Sequence, residues 1–361
     1  MKNIEEKCVL QVCAYAAPYE GNFIPTLRTL AYECEKYGVK TIFAFPENAK
    51  FLPWMEELRK KYMVYFLPLS QARVRLKTYQ IMKRIYKENN ITIAHSHFEL
   101  YDIPVTMMAP KNTKIFWHLH DALDLIYRKS GRLYRVLWKI QYALVSKRAT
   151  LLSVSEQAKQ FAIQLGFSKE RAYFIPNGID LKRINAEMKS GNQRYDFLIF
   201  AWDYYRKGVD VLVNAVKQMK IHEFTCGVVS DKEEWKKGDC VICKNLIQQD
   251  PVSNVSELYS QSKCFLHISR YEGLSYALLE AIYAGCIVIC SDIEQNMFAK
   301  KFPTVYFVPV GDSSSLCEAM EKVLNGDFTV TKEALVLSRE FIKNEYSLEN
   351  WTNTMKKMYF R

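Results

Sequence analysis

Short apolar runs alternate with helix-length amphipathic segments along the whole chain. VLQVCAY (9–15), KTIFAF (40–45), YMVYFL (62–67), ITIAHSH (91–97), KIFWHLH (114–120), TLLSVS (150–155) and YFIP (173–176) predict strands of a mostly buried parallel sheet. The alternation restarts at DFLIFAW (196–202), FTCGVV (224–229), CFLHIS (264–269), CIVICS (286–291) and VYFVPV (305–310). Two βα-repeated, Rossmann-like sheets are implied. The break between them falls in IPNGIDLKRI (175–184), where Pro176 and Asn177-Gly178 punctuate the chain. The expected domains are 1–176, 177–345 and a terminal helix over 346–361 that carries Trp351 and Tyr359 two turns apart on one face. In open parallel sheets ligands bind beyond the carboxyl ends of the strands, so two such sheets facing each other would place a site in a central cleft.

Composition narrows the class. A chain of 361 residues with 49% hydrophobic positions suits two packed cores. No stretch approaches the ~18–20 apolar residues of a membrane helix, and the N-terminus lacks a secretory layout, so a cytoplasmic protein is expected. Cys8, Cys13, Cys264 and Cys290 lie in strand-like runs, which fits reduced, buried thiols. Cys240 and Cys243 form a CxxC with no second pair at zinc-finger spacing, and DCVIC reads as a strand. The net charge of +11 is one-sided, because residues 1–176 carry 27 Lys/Arg against 15 Asp/Glu while the remainder carries 23 against 24. That polarity points to an anionic partner for the first half.

The run HISRYEGLSYALLEAIYAGCIVICSD (267–292) holds the densest chemistry. A strand ends near Ser269, a loop carries Glu272-Gly273-Leu274-Ser275, and a helix begins near Tyr276. Gly273 would let backbone approach a ligand closely, and the N–H groups of the first helical turn would face an anion. Glu280 stands on a face otherwise made of Leu278, Leu279, Ala281 and Ala284, where a charge is costly unless bonded. A sugar diol and plain solvent are its two alternative partners.

This run resembles the signature of the retaining glycosyltransferase family 4, of GT-B fold: E-G-x-S, a second glutamate after seven intervening residues, then A-x-G. The resemblance implies an α/β protein of two Rossmann-like βαβ domains facing a cleft, with a nucleoside diphosphate sugar as donor. It implies Glu280 on the ribose, Glu272 beside the donor sugar, and the Gly273, Leu274 and Ser275 backbone near the phosphates. RKGVDVLVNAV (206–216) is similar to the family's K-G segment, which makes Lys207 the cation that neutralises the leaving diphosphate. FIPNGID (174–180) resembles its linker, and VPVGDSSSLCEAM (308–320) its segment before a late helix. Gly21-Asn22 stands where the family has a glycine-rich loop by the donor, and His120 of WHLHD (117–121) where a histidine approaches the donor sugar. Trp202 occupies the position of a usual arginine, with Arg206 as the substitute cation, and Gly285-Cys286-Ile287-Val288 replaces G-x-P-V. The loop after Asp292 reads IEQN where the family has a glycine.

The implied activity is a retaining transfer from a nucleoside diphosphate sugar, UDP-linked, to a glycan or lipid-linked acceptor in cell-surface polysaccharide or glycolipid synthesis. The alternative is a non-catalytic sugar-nucleotide-binding scaffold of the same fold. Asp-x-Asp is missing from the chain, so neither metal nor other cofactor is expected and positive side chains must carry the diphosphate charge. Two H-x-H pairs, His95/His97 and His118/His120, offer a competing zinc reading, against which stands the lack of evident carboxylate ligands in that half. Residues 59–87 hold nine Lys/Arg and no acid, and residues 125–148 seven and no acid, interleaved with Tyr127, Tyr134, Trp138 and Tyr142. A solvated basic face is one reading, and adsorption to the inner face of an anionic membrane the other. A nucleic-acid partner is not expected, since no recognition module appears.

Overall fold

The structure, a computed structural model, describes residues 7–68, 75–120, 123–184, 193–236, 240, 243–252 and 254–360. The chain divides into two compact units, residues 1–176 with 351–361 and residues 177–350.

The first unit holds β1 (Cys8–Cys13), β2 (Lys40–Pro46), β3 (Met63–Leu67), β4 (Ile91–His97), β5 (Lys114–Leu119), β6 (Ala149–Ser153) and β7 (Ala172–Phe174). They form one parallel sheet in the order β3-β2-β1-β4-β5-β6-β7. Central strands such as β1 and β4 are covered on both faces, which is why they read as nearly unbroken apolar runs. Leu10, Val12, Ala94, Trp117 and Leu151 lie in its core.

The second unit contains β8 (Tyr195–Phe200), β9 (Cys226–Val229), β10 (Leu246–Gln249), β11 (Ser262–His267), β12 (Ile287–Ser291) and β13 (Val305–Val308). Its parallel sheet runs β10-β9-β8-β11-β12-β13. One expectation needs correction here: the strand lies at Leu246–Gln249, beyond Cys243, whereas DCVIC falls partly outside the described residues. All ten cysteines are buried and none is in a disulfide, and Cys240 and Cys243 of the CxxC pack in the core of the second unit.

In both sheets the strand order reverses once, between β1 and β4 and between β8 and β11. The crevice outside the carboxyl ends of the strands at such a reversal is where open α/β sheets bind ligands. The terminal helix Leu348–Phe360 does not stand apart as a third element, because from Trp351 onward it belongs to the first unit. Trp351, Met355 and Tyr359 are buried at a spacing of one helical turn each.

Candidate functional site

At the reversal in the second unit, the loop after β8 and the loop after β11 are tied together. Gly208 ends the first loop in the left-handed region (φ 73), and a Cβ there would stand 2.4 Å from the Ile268 carbonyl oxygen. Only glycine permits that approach. Gly208 also caps the helix Val209–Gln218. Arg270 fastens the same loops by two 2.7 Å bonds to Asp210, a 2.8 Å amide bond to the Arg206 carbonyl, and a cation–π contact with Tyr205 at 3.9 Å.

This clamp brings Lys207 against Glu272. Lys207 Nζ lies 2.5 Å from Glu272 Oε1, and Arg206 Nη2 lies 3.1 Å from Oε2. Lys207 and Glu272 are buried. Burial pushes the Glu272 carboxyl up, but the positive charges beside it, Lys207 foremost, outweigh this and hold it at about 2. Glu272 is therefore ionised at neutral pH. His267, at the end of β11, is driven down to about 4, chiefly by burial, and is neutral. Trp202, at the position of the usual arginine, receives both the Arg206 and the Lys207 cations over its ring at 4.9 Å.

Ser275 caps the helix Tyr276–Ala284, accepting from the Leu278 amide at 3.4 Å, and Gly285 (φ 88) ends it. Asn177 donates through Nδ2 to the Leu274 carbonyl at 2.8 Å, so the linker residue read as punctuation braces the Glu272–Ser275 loop. Glu280 is 3% exposed, which removes solvent as its partner. Tyr259 donates to Glu280 Oε2 at 3.1 Å, and burial, then Glu280 itself, push the Tyr259 hydroxyl up so that it stays a donor.

In the first unit Gly21 (φ 55) turns the chain after β1, and the helix Phe23–Glu35 follows Asn22. The register pairs Gln11 with His95 and His97 with His118, which sets these side chains on one face of the sheet. Tyr359 reaches that face, its hydroxyl 2.6 Å from His95 Nδ1 and accepting from Gln11 Nε2 at 3.0 Å. His95 Nε2 lies 3.2 Å from His118 Nδ1. His97 lies 2.9 Å from Gln11 Oε1 through Nε2 and 3.0 Å from His120 Nε2 through Nδ1. His95, His97 and His118 are wholly buried. Desolvation holds all three imidazoles neutral. His120 is the half-buried end of this network. Phe98, the only non-glycine at positive φ (60) among the described residues, packs against His120 with ring centroids 4.6 Å apart and the rings tilted by 33°. Asp121 lies outside the described residues.

Nitrogens of His95, His97 and His118 come within 4.8 Å of one another. A metal there would have to take His95 from Tyr359 or His118, and His97 from Gln11 or His120. The network gives partners to both nitrogens of His95 and of His97, whereas His118 is bonded through Nδ1 alone and its Nε2 is buried without a partner among the described residues.

The second basic stretch differs from expectation. Trp138 and Tyr142 are buried and pack in the core of the first unit, so they are not interfacial aromatics. Part of the first stretch, residues 69–74, lies outside the described residues. No helix among the described residues is long and apolar enough to cross a membrane.

Comparisons with known proteins agree with this architecture. Residues 26–183 match the family model for Glycosyltransferase Family 4, and residues 196–326 that for Glycosyl transferases group 1. The capsular polysaccharide biosynthesis glycosyltransferase CapH of Staphylococcus aureus is 23% identical over 294 residues, covering 76% of this chain and 79% of CapH. Among solved structures, a glycosyltransferase from Rickettsia africae superposes with a TM-score of 0.77 at 14% identity, covering 99% of this chain and 98% of its own. Sucrose-phosphate synthase from Thermosynechococcus elongatus gives 0.78 at 15% identity, with 98% of each chain covered. Anabaena HepE, solved in complex with UDP and glucose, gives 0.75 at 13% identity over 97% of this chain and 98% of its own. The chain thus belongs to the glycosyltransferases of the family 4 type and is an enzyme of GT-B fold.

Proposed function

We propose that this enzyme transfers a hexosyl or N-acetylhexosaminyl unit, with retention at the anomeric carbon and without a metal, from a UDP-linked sugar to a glycan or lipid-linked acceptor. The observation that carries the donor reading is the Lys207–Glu272–Arg206 cluster at the strand-order reversal of the second unit. Breaking the bond between the anomeric carbon and the diphosphate oxygen leaves positive charge on carbon and negative charge on the leaving group. Preorganised cations aimed at that group lower the barrier most. Lys207 and Arg206 take this role, Glu272 orients the sugar, Glu280 holds the ribose, and His120 meets the donor sugar. The Leu274 and Ser275 amides open a helix and face the phosphates. No side chain is assigned as a covalent nucleophile.

The UDP assignment draws support from HepE, whose structure holds UDP and glucose, and the polysaccharide acceptor class from CapH. Synthesis of cell-surface polysaccharide or glycolipid then takes place in the cytoplasm, on the inner face of the membrane. The acid-free basic stretches 59–87 and 125–148 attract that surface. The test is a thermal-shift series with UDP, GDP and ADP in excess EDTA, followed by transfer from the matching sugar nucleotides. UDP at 100 times its Kd should add ~2.7 kcal/mol. No shift with any nucleoside diphosphate, or turnover that strictly needs Mn²⁺ or Mg²⁺, overturns the reading.

A further inference from the structure

The helix Arg132–Leu144 has two apolar sides. One buries Trp138 and Tyr142. The other presents Leu133 (71% exposed), Val136 (55%), Leu137 (40%), Ile140 (49%) and Leu144 (60%). Positions 133, 137, 140 and 144 recur at spacings of four, three and four, which aligns them along one line of the helix, turned away from Trp138 and Tyr142. A helix at a water-facing surface carries a single apolar stripe, toward its core, and polar groups opposite. Here the polar positions are confined to the flanks, where Arg132 and Lys139 are exposed.

The charges decide what covers the outer stripe. Residues 125–148 contain seven Lys/Arg and no acid. A second copy packed on the same face would bring its own Arg132 and Lys139 against these, with no carboxylate in the stretch to meet them. An anionic bilayer suits both features, since acyl chains take the stripe and headgroup phosphates the flanks. At 13 residues the helix is about 20 Å long, too short to cross a bilayer.

We propose that Arg132–Leu144 lies flat in the interfacial layer of an anionic membrane, with Leu133, Val136, Leu137, Ile140 and Leu144 inserted among acyl chains and Arg132 and Lys139 at headgroup level. This rests on the membrane reading above and changes its cause from charge alone to insertion.

The full chain is sedimented with phosphatidylcholine/phosphatidylglycerol vesicles at low salt and at about 1 M NaCl, where the Debye length shrinks to about 3 Å. Wild type should keep a salt-resistant bound fraction. Leu137→Glu/Ile140→Glu should lose it, with partitioning about a hundredfold weaker, because each of the two apolar side chains withdrawn forfeits about tenfold. The milder Leu133→Ser/Leu144→Ser should move the same way. Arg132→Glu/Lys139→Glu should lose only salt-sensitive binding. Unchanged circular dichroism and thermal melts show that the variants fold. Binding at low salt that vanishes at high salt overturns insertion and leaves the charge reading standing, whereas no binding at either salt sinks both. A dimer by light scattering that Leu137→Glu/Ile140→Glu splits would assign the stripe to a second copy instead.

Discussion

Lys207 and Glu272 are far enough apart in sequence, and close enough in space, for their coupling to be measured directly. The perturbation is a double-mutant cycle of Lys207→Met and Glu272→Gln. Glu272 is held at about 2 against an ordinary 4.5, and such a shift corresponds to about 3 kcal/mol of preference for the charged form in the folded state. Breaking a buried ion pair by removing one partner costs about 3–5 kcal/mol, which agrees. Lys207→Met should sit at the lower end, because Arg206 remains 3.1 Å from the carboxylate. Glu272→Gln should sit at the upper end, because it leaves two cations without their anion. The double variant strands only Arg206, so the cycle should close short of additivity by at least about 2 kcal/mol. Hydrogen exchange at β8 and β11 amides reads the free energy of this unit separately from the other.

The sign of the pH effect follows from the same carboxyl. Its folded value is depressed, so its contribution is present above about pH 4.5 and is lost as pH falls toward 2. Turnover supplies the functional arm, and Lys207→Met should lose about 10²–10³ at saturating donor. Additive stabilities within about 0.5 kcal/mol would refute the buried cluster. Wild-type turnover in Lys207→Met would refute the leaving-group role and pass it to Arg206.

Glu280→Ala should weaken UDP binding by about 1.5–3 kcal/mol in calorimetry while turnover at saturating donor changes little, and unchanged affinity would remove Glu280 from the ribose site. His267 has a depressed folded value of about 4, so the stability it contributes as a neutral group is full above about pH 6.5 and lost as pH falls through 4. That is about 3 kcal/mol between pH 7 and pH 4, which should be missing in His267→Asn; equal acid sensitivity in both proteins would refute it.

Much of this architecture was legible because buried parallel strands write themselves as apolar runs. β4 was read residue for residue from ITIAHSH. β10 was not, because an edge strand of the sequence LIQQ has too few apolar positions to stand out beside its loops. The Glu272–Ser275 loop and the helix after it were readable from local spacing. Their partners were not: Lys207 meets Glu272 across 65 residues only because β8 and β11 are neighbours. Arg270, Asp210 and Tyr259 carry no local signal of their contacts, and Asn177 signals a break in the chain but not its bond to Leu274. Trp138 and Tyr142 were misassigned for a simpler reason, since helical spacing gives two faces and does not say which one is buried.

The two strand-order reversals are furnished with different electrostatics, an ionised cluster in the second unit and a neutral one in the first. In the second unit, the Glu272 carboxylate is held ionised against Lys207 and Arg206, which is the arrangement that can exchange an internal anion for an external one. A diphosphate reaching Lys207 and Arg206 would take over the contacts of Glu272 and release its carboxylate toward sugar hydroxyls. In the first unit, desolvation keeps His95, His97 and His118 neutral, so their influence on His120 is one of orientation rather than charge. With Gln11 Nε2 donating to Tyr359 and Oε1 accepting from His97, the neutral His97 must accept at Nδ1, and His120 must donate to it from Nε2. That order leaves Nδ1 as the acceptor nitrogen of a neutral His120, and it is imposed from Tyr359 through Gln11.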